Sequence, residues 1–124
     1  MESDRKLINR MFENELDRAN EILNTEFSFD LAEPNYLVCL ALITGHEELK
    51  SDFESSLIRL FRSKKIDDEP IAYLMYRLRW EGVRNWAVRE LKELDNPMIE
   101  GCSLQKILDA FEDGWGHKDF YNNL

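Results

Sequence analysis

A chain of 124 residues has room for one hydrophobic core, and its 44% hydrophobic and 33% charged residues are typical of a folded domain. The formal net charge of −9 argues against general binding to nucleic acid or to anionic membranes, because both need concentrated Lys and Arg. The longest apolar run, Tyr36 to Ile43, is far shorter than the roughly 20 residues that cross a bilayer.

The first residues and the cysteine count indicate a reducing cytosol. Glu2, Ser3 and Asp4 stand where a secretory leader would be basic and would continue into an apolar stretch. Two cysteines are too few for a disulfide framework. We therefore expect a single domain over residues 1–124, located in the cytoplasm.

The first element is a helix. Apolar residues recur at 3–4 spacing from Asp4 to about Asn24, which is typical of one buried helical face, and Ser3 is predicted to cap the start. From Thr25 to Glu33, aromatic and polar residues alternate. We expect an extended connector there that packs its aromatic side chains onto the core.

The second helix is predicted to begin at Glu33–Pro34, since proline is well tolerated in a first turn. Its run from Tyr36 to Ile43 is apolar on every side, which predicts a central helix that is covered all round. Gly45 is expected to end it in the left-handed conformation. A third helix is predicted at about His46 to Lys64.

Three further helices complete the chain. We expect a fourth helix capped by Asp67 or Asp68, a fifth over Val83 to Leu94, and a last one capped by Ser103 that stops near Gly114. Asn96–Pro97 is predicted to separate the last two. The tail from Trp115 to Leu124 is aromatic and is expected to dock onto the bundle.

Six helices with short connectors and no convincing strands predict an all-α fold. We expect an irregular six-helix bundle of antiparallel helical hairpins, the second helix pairing with the third and the fourth with the fifth. A HEAT-like stack is the alternative, although no residue repeat at a fixed period is present.

No motif in the chain carries recognisable chemistry. His46 and His117 each lack the nearby Cys or second His that zinc sites use. The nucleophile pattern GxSxG and the phosphate-binding glycine loops are also absent. We therefore expect no catalytic residue, no metal and no cofactor. An enzyme with an unrecognised carboxylate site remains a third possibility.

Acidic residues form two clusters on either side of a mildly basic middle. The first is Glu47, Glu48 and Asp52. The second is Asp109, Glu112 and Asp113, at a predicted helix C-terminus where the dipole disfavours negative charge. Aromatic residues follow it, beginning with Trp115. Because aromatic residues are frequent at binding hot spots and acidic neighbours attract basic partners, we predict that these seven residues contact a basic protein.

Two stretches look like small helical bacterial proteins: Arg77 to Arg84 (RLRWEGVR) and Ile107 to Trp115 (ILDAFEDGW). In size, acidity and helical character the chain is similar to immunity proteins of contact-dependent growth inhibition and related toxin systems. This resemblance implies binding to one toxin domain, often a basic nuclease, with acidic groups in place of nucleic-acid phosphates. A HEAT-like adaptor in a larger complex is the alternative.

Overall fold

The computed structural model describes residues 2–95 and 101–124, and within these ranges it contains six α-helices and no strand. The helices are α1 (Glu2–Glu26), α2 (Phe29–Gly45), α3 (Lys50–Arg62), α4 (Asp68–Leu78), α5 (Glu81–Glu93) and α6 (Cys102–Asp109). Short 3₁₀ helices lie at Glu47–Leu49 and Gly116–Phe120. The predicted all-α bundle is confirmed for this part of the chain.

The connector between α1 and α2 is only two residues long, so the predicted extended segment over residues 25–33 is wrong. Phe27 is left-handed (φ 52°) and Ser28 is extended, and together these residues reverse the chain direction. The second helix therefore begins before Pro34, which lies inside α2 and leaves the Asp30 carbonyl without an intrahelical donor.

The main helix pairs also differ from the expected ones. The 25-residue α1, roughly 36 Å long at 1.5 Å per residue, packs along α2 and also contacts α3. The short α6 packs on both α4 and α5. The expected pairings of α2 with α3 and of α4 with α5 are minor contacts, because a long first helix and a late sixth helix occupy those faces.

The central helix is α4 and not α2. Every residue from Glu69 to Met75 in α4 is buried. Along α2, by contrast, Tyr36, Cys39 and Ile43 are buried, while a whole side of the helix faces outward. The apolar run of α2 predicted full coverage, but α4 takes the centre, and hydrogen bonds satisfy its buried Glu69 and Tyr73.

Besides Phe27 after α1, two more left-handed residues that are not glycine end helices. Lys64 (φ 64°) follows α3 and allows the Lys65 N–H to donate to the Leu60 carbonyl at 2.9 Å. Arg79 (φ 52°) ends α4, and its guanidinium also bonds Asp113 at 2.8 Å. These additional bonds offset the cost of a left-handed backbone at residues with a Cβ.

Several predicted helix ends are wrong. Gly45 is the last residue of α2 and is not left-handed. The C-cap residue is His46, which is not left-handed either (φ −141°). Ser3 lies inside α1, and Ser103 lies inside α6, which Gly101 precedes. Asp67 is the N-cap residue of α4 as expected, without a side-chain cap bond. The predicted stop at Asn96–Pro97 lies outside the described residues.

The difference between α4 and α2 predicts unequal effects of shortening a leucine. Leu74 in α4 is fully buried, so Leu74→Ala is expected to lower the free energy of unfolding by about 2–5 kcal/mol. Leu37 in α2 is 36% exposed, and Leu37→Ala is expected to cost less than about 1.5 kcal/mol. Urea denaturation at low protein concentration measures both values. Equal losses would contradict the central position of α4.

Candidate protein-binding surface

The first predicted acidic cluster lies where α2 gives way to α3. Glu47 and Glu48 are exposed in the 3₁₀ helix, as a partner contact requires. Asp52 is different: the Arg5 guanidinium donates to its two carboxylate oxygens at 2.5 and 2.6 Å, and Asn9 donates at 3.0 Å. Asp52 therefore joins α3 to α1. Its charge is not available to a partner, contrary to the expectation from the sequence.

The Arg5 and Asn9 hydrogen bonds lower the pKa of Asp52 from 3.8 to about 2. A carboxyl whose pKa is lower in the folded state stabilises the fold above its unfolded pKa, and this contribution disappears as the pH falls through the folded value. Asp52→Asn is therefore expected to lower the free energy of unfolding at pH 7, and its difference from the parent should shrink between pH 4 and pH 2. Chemical denaturation across this pH range measures the difference.

Asp109→Asn, on an exposed side chain of α6, is the matched control and should leave stability nearly unchanged. A stability of the Asp52→Asn variant equal to that of the parent at pH 7 would contradict the linking role of Asp52.

The second predicted cluster is exposed in its acidic members and buried in its aromatic one. Asp109 is the last residue of α6, and Glu112 and Asp113 lie in the turn beyond it, so the unfavourable dipole position applies only to Asp109. Asp113 pairs with Arg79 at 2.8 Å, although its side chain is 95% exposed. Trp115 is only 5% exposed and packs against Tyr76, so its role as an exposed contact is wrong.

The two acidic clusters lie toward opposite ends of α1. Glu48 lines a cleft with Asp4 and Ile8, near the start of α1. Asp109 and Glu112 line a different cleft, and this one adjoins a cleft that reaches Leu23 near the end of α1. Residues 8 and 23 are 15 positions apart, or roughly 22 Å along a helix. The two acidic clusters are therefore about this far apart along α1.

Aromatic side chains gather at the end of the hairpin where α1 meets α2. We call Phe27, Phe29, His117 and Phe120 the aromatic end. The rings of Phe29 and Phe120 stack with centroids 5.1 Å apart and an interplanar angle of 9°, and His117 lies 5.1 Å from Phe29. Phe27 is 86% exposed and Phe120 53% exposed. Two aromatic rings therefore present most of their surface to solvent at one place.

Carboxylates line a cleft at the aromatic end. This cleft, of about 280 Å³, is lined by Phe27 and Phe29 and by Asp67 and Asp68. Burial raises the pKa of Asp68, and this effect outweighs the influence of Lys106, which lines the same cleft. The adjoining cleft, of about 350 Å³, is bordered by the predicted contacts Asp109 and Glu112. The two clefts share three residues: Glu69, Lys106 and His117.

Two buried carboxylates fix the C-terminal tail, which contributes His117 and Phe120 to the aromatic end. Glu69 accepts from the Tyr121 hydroxyl at 2.5 Å and from His117 Nδ1 at 2.7 Å. Glu33, 2% exposed, accepts from the Tyr73 hydroxyl at 2.7 Å and from the backbone N–H of Asn122 at 2.8 Å.

The Asn123 N–H also donates to Glu33, at 3.0 Å. Burial raises the pKa of Glu33, but the hydrogen bonds from Tyr73, Asn122 and Asn123 outweigh this effect and lower it. Charge at this position is therefore stabilised by the tail itself. The expected docking of the tail is confirmed, and its hydrogen-bond acceptors were not anticipated.

Removing one donor from Glu69 tests this anchoring. Tyr121→Phe leaves a buried carboxylate short of one hydrogen bond and is expected to cost about 1–3 kcal/mol of unfolding free energy. The matched control is Tyr76→Phe, whose hydroxyl makes only an exposed 3.4 Å bond, and it should stay within about 0.5 kcal/mol of the parent. Thermal or urea denaturation measures both. Equal unfolding free energies of the Tyr121→Phe and Tyr76→Phe variants would contradict the anchoring role of Tyr121.

The sequence missed Phe27 as a candidate contact, because its alternation with polar residues suggested a ring packed on the core. Over residues 2–95 and 101–124, no helix has the length and apolarity to span a membrane, and no three metal-binding side chains come together. No protein-family model, curated protein or solved structure matches this chain significantly.

Proposed function

We propose that this chain is a cytoplasmic inhibitor that binds a basic protein, and that it acts as an immunity protein against a cognate toxin domain. The observation that carries this function is the aromatic end, where the rings of Phe27 and Phe120 are exposed and Phe27 lines a cleft with the carboxylates of Asp67 and Asp68. Exposed aromatic residues supply large contact areas at low entropic cost, and surrounding negative charge accelerates association with a basic surface.

Negative charge determines which kind of partner the aromatic end attracts. The whole chain carries −9, so a positively charged protein is attracted at long range. At short range Asp67 is exposed beside Phe27, and Asp109 and Glu112 border the adjoining cleft. Of the seven residues predicted from the sequence, Asp109 and Glu112 are therefore the ones that we retain as contacts here.

Inhibition follows from the same features. A toxin that acts on nucleic acid has a basic groove for phosphates, and a carboxylate-rich surface competes for that groove without any covalent step. The exposed rings of Phe27 and Phe120 would then bury against the groove wall and slow dissociation. We assign no enzymatic reaction to the chain.

The test uses the toxin domain encoded beside this gene as the binding partner. Phe27→Ala and Phe120→Ala are each expected to weaken binding by roughly 30-fold or more, mainly through faster dissociation, as hot-spot truncations do. The double variant Asp109→Lys, Glu112→Lys is expected to slow association and to reduce its dependence on salt. Surface plasmon resonance at several ionic strengths separates the two rates.

Glu47→Lys, Glu48→Lys makes the same change of charge at the other end of the hairpin and is the control. It should weaken binding far less than the change at Asp109 and Glu112. Unchanged affinity of both phenylalanine variants would rule out the aromatic end as the binding surface. Failure of the parent chain to protect cells that express the toxin would rule out the immunity role.

A further inference from the structure

Two clefts at the aromatic end meet along shared lining residues. The cleft of about 280 Å³ and the cleft of about 350 Å³ have Glu69, Lys106 and His117 in common. Each volume is near the lower end of the roughly 300–1,000 Å³ that is typical of pockets for small molecules, so each cleft suits one long side chain. We call the two clefts together the acidic groove.

Negative charge predominates in the acidic groove. Among the described residues that line it, Lys106 is the one lysine or arginine, whereas five are carboxylates: Asp67, Asp68, Glu69, Asp109 and Glu112. The dipole of α4 favours the carboxylates at the start of that helix. Asp109 is the last residue of α6, where the dipole disfavours negative charge, and Glu112 lies beyond it. Local helix stability therefore does not account for both sides of the groove.

The cation that the chain itself supplies does not compensate these carboxylates. Burial raises the pKa of Asp68, although Lys106 and a hydrogen bond from Ser103 act in the opposite direction. Asp109 accepts a hydrogen bond from the Gln105 amide at 3.0 Å, but this donor is neutral. A second cation in the groove would therefore stabilise the charged form of Asp68.

Aromatic rings line both halves of the acidic groove. Phe27 and Phe29 line the smaller cleft, and Trp115 lines the larger one. Phe27 is 86% exposed on a left-handed backbone (φ 52°), so the isolated fold gains little from this ring. The face of an aromatic ring attracts cations, and a planar guanidinium can stack on a ring while it donates to a carboxylate. Rings and carboxylates in one groove therefore favour an arginine side chain as the occupant.

Two glycines keep the larger cleft open. Neither Gly114 nor Gly116 is left-handed, and a Cβ on either would meet no atom within 4 Å. Backbone conformation and packing within the chain therefore do not require glycine at these positions. Because both residues line the larger cleft, a long side chain at either one would take up space in the groove.

We propose that the acidic groove binds an arginine side chain of the basic partner, with the guanidinium between the ring of Phe27 and the carboxylate of Asp68. This inference rests on the proposed function, which supplies the arginine, and it adds the side chain that the groove recognises. Lys106 is the chain's own cation in the same groove. It therefore repels the incoming guanidinium and weakens binding, so its removal strengthens binding.

The test uses the chain alone and a free arginine derivative as the probe. Titration with Nα-acetyl-arginine amide, followed by NMR, is expected to shift the amide signals of Phe27, Asp68 and Lys106, with a dissociation constant on the order of 10 mM. Nα-acetyl-citrulline amide has nearly the same shape without the charge. It is expected to bind about tenfold more weakly, because it offers no cation to the ring or to the carboxylate.

Four variants locate the site. Phe27→Leu and Asp68→Asn are each expected to weaken arginine binding about threefold or more, as loss of one cation–π contact or ion pair does. Lys106→Gln is expected to strengthen it about threefold, because a competing charge is removed. Gly114→Leu should weaken it by filling the cleft. Gly45→Leu is its matched control, since a Cβ there also meets nothing within 4 Å and Gly45 ends α2 far from the groove. Circular dichroism verifies that each variant is folded.

Equal binding of the arginine and citrulline derivatives would overturn the proposal, as would unchanged binding in both Phe27→Leu and Asp68→Asn. Weaker binding in Lys106→Gln would contradict the competition and would make the groove a site for anions. The toxin domain is absent from this titration, so its outcome is separate from that of the inhibitory function. Failure to protect cells, with arginine binding intact, would remove the immunity role and leave the arginine site.

Discussion

Two buried carboxylates, Glu33 and Glu69, hold the C-terminal tail in place. Carboxylates that lie among apolar side chains must be hydrogen-bonded, and here the donors come from a tail that is distant in sequence: the Tyr121 hydroxyl and the backbone of Asn122 and Asn123. The tail therefore satisfies the centre of the bundle, and the bundle in turn fixes the tail. If the tail did not donate hydrogen bonds to Glu33 and Glu69, no described contact between a carboxylate and the tail would fix the position of His117 or Phe120.

The buried carboxylates and the aromatic end differ in how completely the chain itself satisfies them. Glu33 and Glu69 are buried, and each accepts hydrogen bonds from within the chain. At the aromatic end, by contrast, the rings of Phe27 and Phe120 are exposed, and Phe27 lines a cleft with Asp67 and Asp68. Exposed rings beside carboxylates suit a partner of opposite charge.

Periodicity predicted the existence of all six helices, since each buries a regular apolar face, and it predicted that the tail docks. It did not predict which helix is central, because the burial of Glu69 and Tyr73 depends on partners that lie 40 or more residues away. Asp52 appeared to be a free charge for the same reason: its partner Arg5 is 47 residues distant. The turn at Phe27 was missed because no glycine or asparagine marks its left-handed residue.

Phe27 also has a consequence for how this protein tolerates change. A left-handed backbone strains a residue with a Cβ, and an exposed ring gains little from the fold, so glycine or asparagine at this position would relieve strain within the isolated chain. Selection for thermal stability alone would thus discard the side chain that binding is expected to use. Selection for binding would keep an aromatic residue at this position, whereas selection for stability in the laboratory would replace it.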